Sequence, residues 1–256
     1  TTPTRPITIM APPRNTTQTD LPAPVGRRRA VLLTALLSLG FGLWLVALSA
    51  PRLATGVQML TADRVSFDLG LGRPVANEDL ARAAAGAGRA MDRRTGPEAF
   101  AAFGLIRLEQ ATRGDALSPL GRRQLVEAMK AERAALALDP AAPFDWMRLA
   151  QAELLLDGLN ARLAVPLKLS LQTGAYEPGL QLPRLDLAFQ LWPQLDPPTR
   201  AAFSAQVRTA VQIRARAVAD MAKRYYVRLY IRQALHADPA ALSAFDGAYR
   251  AATSTP

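Results

Sequence analysis

The chain of 256 residues carries 31 Lys and Arg against 21 Asp and Glu, a net charge of +10, with one histidine and no cysteine. The absence of cysteine excludes disulfides, thiolate nucleophiles, cysteine zinc sites, iron–sulfur clusters and covalent haem attachment, and the lone His236 excludes a two-histidine metal site. A protein without cofactor or metal is expected, stabilised by packing alone, with a basic balance that favours anionic partners.

Residues 1–29 hold Pro3, Pro6, Pro12, Pro13, Pro22 and Pro24 among Thr, Asn and Gln, which predicts a disordered tail. Residues 30–50, AVLLTALLSLGFGLWLVALSA, contain no charge and are long enough as a helix to cross the hydrocarbon core of a bilayer. A buried core helix of this length would carry a polar stripe, and a cleaved signal peptide would have a shorter apolar run, so the segment reads as an uncleaved transmembrane anchor. Arg27, Arg28 and Arg29 precede it directly while Arg52 stands alone beyond it, so the positive-inside bias keeps the tail cytoplasmic and exports the chain beyond Pro51. Nucleic acid is therefore not an expected partner, and no recognition motif for it is present.

Residues 51–76 mix charged and apolar side chains and read as a partly ordered connector, with an extension of the anchor helix to about Leu60 as an alternative. Val65 to Leu69 alternates as a short strand would, and Gly70 and Gly72 break it. From Asn77 to the end the apolar period is helical and the helices come in pairs. Asn77-Glu78-Asp79 caps a helix to about Arg94 with a small-residue face for close approach; a second runs from Glu98 to Arg113. Ser118-Pro119 opens a third to about Leu138, and a fourth covers Ala142 to Asp157. Beyond lie a short helix from Asn160 to Thr173 interrupted by Pro166, a loop from Gly174 to Pro183, a helix from Arg184 to Trp192, and a long one from Arg200 to about Ala219.

Ala135-Leu136-Ala137-Leu138-Asp139-Pro140, succeeded by Trp146, Leu149 and Ala150, resembles the junction between units of the tetratricopeptide family, in which a proline precedes the next tryptophan and small residues line the second helix. Ala234-Leu235-His236-Ala237-Asp238-Pro239 with Phe245 beyond it repeats the spacing. The resemblance implies an all-α, tetratricopeptide-like array of helical hairpins over residues 77–256, with the Trp146 ring buried. Arg184 to Phe189, with Leu191 to Asp196 and Thr199-Arg200, is similar to membrane-anchored helical-repeat proteins of proteobacteria associated with envelope polysaccharide machinery. That likeness implies a single-pass protein of the bacterial inner membrane with a periplasmic array.

No catalytic constellation emerges. Glu78 with Asp79, and Asp139 with Asp145, fall at helix starts, where capping and the macrodipole account for them. Gly70-Leu71-Gly72-Arg73 lacks the Gly and Lys of a phosphate cradle and reads as a turn. The densest charge runs from Arg200 to Arg232, where Arg224, Arg228 and Arg232 are spaced as one helical ridge beside Tyr226 and Tyr230. Such a ridge suits an anionic glycan, lipid headgroups or an acidic protein face, or is a solvated exterior. The expected function is a non-catalytic scaffold of an envelope machine for polysaccharide synthesis or export, binding other subunits through anchor and array. The alternative is an accessory subunit of a respiratory or photosynthetic membrane complex.

Overall fold

The computed structural model describes residues 25–92 and 96–254, with side chains in the first helix described from residue 31 onward except at 51, 52 and 55. The disordered-tail expectation for residues 1–24 and the side chains of Arg27, Arg28 and Arg29 lie outside the described residues, as do Arg93 and Arg94. All regular structure among the described residues is helical. The chain divides into two units, Thr1–Pro51 and Arg52–Pro256.

Helix α1, Val25–Gly70, begins in the first unit and ends in the second. Within it, Val31–Ala50 is apolar and long enough to cross a membrane, and none of it is buried within the protein. Leu37 is 74% exposed and Trp44 56%, a degree of apolar exposure that water would penalise over a whole helix surface.

In the second unit α1 continues where a linker or short strand is expected. Burial explains the difference: Met59, Ala62 and Val65 are buried at helical spacing, whereas Phe67, which a strand would place with Val65, is exposed. The helix ends at Gly70, and Gly72 takes a positive φ of 67° in the turn after it. Then come α2 (Asn77–Met91), α3 (Pro97–Arg113), α4 (Pro119–Leu138), α5 (Pro143–Asp157), α6 (Ala164–Thr173), α7 (Gln181–Gln190), α8 (Pro197–Arg224), α9 (Arg228–Leu235) and α10 (Pro239–Ser254).

Local chemistry sets these boundaries. Helices α3, α4, α5, α8 and α10 each open on proline, whose fixed φ suits the first turn and whose missing N–H costs nothing there. Ser118 Oγ accepts from Gly121 N at 3.0 Å, Asp196 from Thr199 N at 2.7 Å and Asp238 from Ala241 N at 2.9 Å, satisfying donors that the first turns leave open. Pro166 sits in the first turn of α6, after a short 3-10 turn at Ala161–Leu163, and so starts that helix where an interruption is expected. Helix α8 bends at Arg214, whose φ of −141° and ψ of 48° are not helical.

Neighbouring helices pack on one another along the chain, except that α10 packs chiefly on α8 and little on α9. Where α2 crosses α1, a Cβ added at Gly86 would stand 2.5 Å from the Gln58 carbonyl oxygen, so the small-residue face of α2 brings two backbones together. Helix α3 is sandwiched: Ala99, Ala102 and Ile106 face α1 and α2, while Leu108 and Ala111 join the core of α4 and α5. A larger core of leucines, Phe189, Phe203 and Phe245 fills the space among α5 to α10. The pairs begin at Pro97, Pro143, Gln181 and Arg228, intervals that are unequal.

One buried cation ties the middle of this unit. Arg184 of α7 is fully buried without a carboxylate partner; its Nε donates to Ser170 Oγ at 2.9 Å and its Nη1 to the Gly174 carbonyl at 2.8 Å, while Ser170 Oγ donates to the Pro143 carbonyl at 2.7 Å. The guanidinium thus occupies the C-terminal end of α6, where the helix macrodipole favours positive charge. Burial still pulls its pKa down to about 10.

Candidate binding surfaces

The ridge expected from Arg224, Arg228 and Arg232 is not a ridge. Helix α8 ends at Arg224, Tyr226 takes a φ of 57°, and α9 starts only at Arg228, so four-residue spacing across this break places no common face. Each arginine also has an internal partner: Arg224 reaches Asp186 at 3.4 Å, and Arg228 and Arg232 both pair with Asp246. Arg228 further lies over the Tyr249 ring, 4.7 Å from its centroid. Tyr226 is 92% exposed, whereas Tyr230 packs at a tilt against the buried Trp192 with centroids 5.5 Å apart. The five residues therefore divide into an ion pair of Arg224 with α7, Tyr226 in a loop, the pairing of Arg228 and Arg232 with Asp246 of α10, and the aromatic contact of Tyr230 with Trp192.

A second charged cluster lies inside the array. Glu132 of α4 is almost wholly buried against Gly104 of α3, and its Oε1 accepts from Arg148 Nε of α5 at 2.7 Å. Arg148 also pairs with the buried Asp145, so one guanidinium serves two carboxylates. Glu132 Oε2 has no hydrogen-bond partner. Desolvation outweighs the attraction of Arg148, and Asp145 adds repulsion, pushing the Glu132 pKa up to about 8; burial raises that of Asp145 as well. Asp145 thus pairs with Arg148, beyond the capping role expected of it. Asp139 does cap a turn, accepting from Ala141 N at 3.0 Å.

Beside this cluster an open groove of about 850 Å³ runs between the end of α1, the inner faces of α3 and α5, and the loop before α7. Leu105, Phe144 and Met147 give it apolar walls, and Arg113, Arg148 and Gln151 give it polar ones. Arg113 is held by Glu109 at 2.6 Å and by the Val75 carbonyl, which fixes its head at the rim.

The other sequence candidates have structural employment. Trp146 is half-buried, not enclosed: its Nε1 donates to the Pro140 carbonyl at 2.9 Å while the ring leans on the α3–α5 core, because this junction turns the indole edge toward the loop. Phe245, its counterpart at the second junction, is fully buried. Glu78 and Asp79 lie in the first turn of α2, with Asp79 paired to Arg82 at 2.6 Å. Gly70 to Arg73 forms a turn in which Arg73 N donates to the Asp68 carbonyl at 2.9 Å. His236 is exposed, with Nδ1 2.8 Å from the Gln233 carbonyl. Among the described residues no group of three His, Cys, Asp or Glu side chains stands close enough to hold a metal ion.

Comparison with family models, with curated proteins and with solved structures finds no match to this chain.

Proposed function

We propose that this protein is a non-catalytic, membrane-anchored docking protein of the bacterial inner membrane, with its helical array in the periplasm. The partner is a segment of another subunit of an envelope machine for polysaccharide synthesis or export. The observation that carries the reading is the groove between α3 and α5, about 850 Å³ and open to solvent, on the face where a hairpin array presents its first helices to a ligand. Its mix of apolar walls and fixed polar heads suits an extended protein segment. The apolar stretch Val31–Ala50 supports the anchor, and the flanking arginines support its orientation.

Photo-crosslinking in membranes tests the docking face. A photoreactive residue at Phe144 or Gln151, in the groove, should give a defined adduct with a membrane-complex subunit; the same residue at Lys130, on the exposed side of α4, should not. Equal adducts from all three positions, or none from the groove, would overturn the assignment. A reporter active only outside the cytoplasm, fused after the last helix, should be active, and replacement of Arg27, Arg28 and Arg29 by acidic residues should weaken that orientation.

A second reading, an accessory subunit of a respiratory or photosynthetic complex, draws on Gly40 and Gly42, whose added Cβ atoms would meet nothing within 4 Å. Open glycines on a membrane helix leave room for a neighbouring helix. Co-purification of a pigment or redox complex would select it over the first reading.

A further inference from the structure

We propose that a pocket between α8 and α9 binds a saccharide bearing oxyanions. It is open to solvent with a volume of about 580 Å³, and no carboxylate stands among the described residues lining it. One wall is a true four-residue ridge on a single helix: Arg200, Ser204 and Arg208 of α8, with the two arginines about 12 Å apart along the axis at 1.5 Å per residue. This helix is unbroken between them, unlike the segment that separates Arg224 from Arg228.

Both guanidiniums are positioned, and among the described residues neither is paired with a carboxylate. Arg200 Nε donates to the Leu195 carbonyl at 2.8 Å, and Arg208 Nη1 donates to the Ala234 carbonyl at 3.3 Å. A guanidinium carries five N–H donors in a planar fork, so one backbone anchor fixes each head and leaves the remainder for an external acceptor. Both arginines are half-buried, where an ion pair is less screened than on an open surface. His236 closes the rim; with Nδ1–H donated to the Gln233 carbonyl, Nε2 is its free ring nitrogen.

The opposite wall explains why the ligand is a sugar and not a bare ion. Tyr230 is 47% exposed and is backed by the buried Trp192, so a rigid aromatic surface borders the pocket. A pyranose offers an apolar C–H face to such a surface and a rim of hydroxyls to Ser204 and Gln233, while its carboxylate or phosphate reaches the arginines. Two cations set apart along one wall suit charges carried at intervals along an acidic chain better than one compact anion. An acidic peptide would supply the charge but not the ring.

Calorimetric titration of the full chain in detergent tests this with five probes: a glucuronic acid oligomer, glucose 1-phosphate, a neutral glucose oligomer, inorganic phosphate and a tetraglutamate peptide. The expected result is binding of the glucuronate oligomer or the sugar phosphate, the stronger of the two identifying the oxyanion, with the other three at least tenfold weaker. Arg200→Gln with Arg208→Gln should weaken the preferred probe at least tenfold, and Tyr230→Ala should weaken it without altering the response to inorganic phosphate. Equal binding of the neutral oligomer overturns the role of the arginines; equal binding of phosphate or peptide overturns the saccharide; no binding of either anionic sugar overturns the pocket. If the double arginine variant fails to fold, unaltered affinity in Tyr230→Ala is sufficient to reject the site. The groove proposed for protein docking lies elsewhere, so these outcomes are independent of it.

Discussion

Around α1, α2 and α3 the core is mostly alanine, with Met59, Val65, Leu80 and Ile106 as its larger members; among α6 to α10 it is rich in leucine, with Phe189, Phe203, Phe245 and Trp192. Both regions are helical hairpins, but they exclude water by different means. Small residues let backbones approach until little side-chain volume is left to place, whereas large ones hold helices apart and fill the gap. The first kind of core should be sensitive to added atoms and the second to lost ones.

Deletion in the large-residue core should cost most. Phe203→Ala removes a fully buried ring from α8 and should destabilise by about 3–5 kcal/mol, a large share of the roughly 5–15 kcal/mol available to a domain. Thermal unfolding of the full chain in detergent reads it. The half-buried Trp146 should fall below that range on replacement by Ala, since its Nε1 edge is already at the surface. A larger loss at Trp146 than at Phe203 would mean that the α4–α5 junction, not the C-terminal core, dominates stability.

Addition in the small-residue core comes next. Gly86→Ala brings a Cβ to 2.5 Å from the Gln58 backbone oxygen, which cannot rotate away, so α1 and α2 must separate at a cost of about 1–3 kcal/mol. Gly104→Ala drives its Cβ into Glu132 Oε1, and that carboxylate is itself buried and held by Arg148. Gly247→Ala, with nothing within 4 Å, is the control and should not lower the melting temperature. Equal melting of Gly86→Ala and Gly247→Ala would remove close approach as the principle of the N-terminal core, and Gly104→Ala probes the same principle where α3 meets α4.

The buried Glu132 gives the packing of α4 between α3 and α5 a pH dependence. Its folded pKa of about 8 lies above the usual carboxylate value of 4.5, so between those values the folded state binds more protons than the unfolded one and stability falls as pH rises. Below about pH 4.5 this group no longer contributes a slope. Arg148 and Asp145 of α5 are the charged groups in contact, and Gly104 of α3 closes the other side. Glu132→Gln keeps the shape and should flatten the stability profile from pH 5 to pH 8; an unchanged slope would place the titrating group elsewhere.

The features legible in the sequence are those set at short range. Helix ends are legible because proline, Ser118 and Asp196 act on their own first turns. The end of α1 is not: Gly70 and the alternating Val65 to Leu69 suggest a strand, and only α2, packing on Met59, Ala62 and Val65, favours the helix. The Arg224 ridge fails for a related reason, since spacing of four assumes a helix that Tyr226 breaks. Two interior charges are visible in principle. Glu132 falls seven residues after Leu125 in the apolar stripe of α4, and Arg184 falls among Leu180, Leu187 and Ala188 in that of α7, where a charge is out of place unless it is paired. The pocket of Arg200, Arg208 and Tyr230 is hidden, because it joins residues of α8 and α9 that no local period connects.

The smallest expected effects lie at helix starts, and there the comparison becomes one of pH. Ser118→Ala removes the acceptor for Gly121 N and should cost about 0.5–2 kcal/mol at any pH, since a hydroxyl does not titrate in the accessible range. Asp196 caps α8 through Thr199 N and pairs with Lys168 at 3.0 Å; hydrogen bonding from Thr199, its side chain first and then its N–H, and after it from Lys168, holds the Asp196 pKa down to about 2. Its folded pKa is below the unfolded one, so its contribution is present above about pH 3.8 and is lost as pH falls toward 2. Asp196→Ser keeps an acceptor for Thr199 N and abolishes the titration. Acid unfolding monitored by circular dichroism should therefore shift in Asp196→Ser and stay parallel to the parent in Ser118→Ala. If the two acid limbs are indistinguishable, the carboxylate of Asp196 does not hold the start of α8 in its charged form.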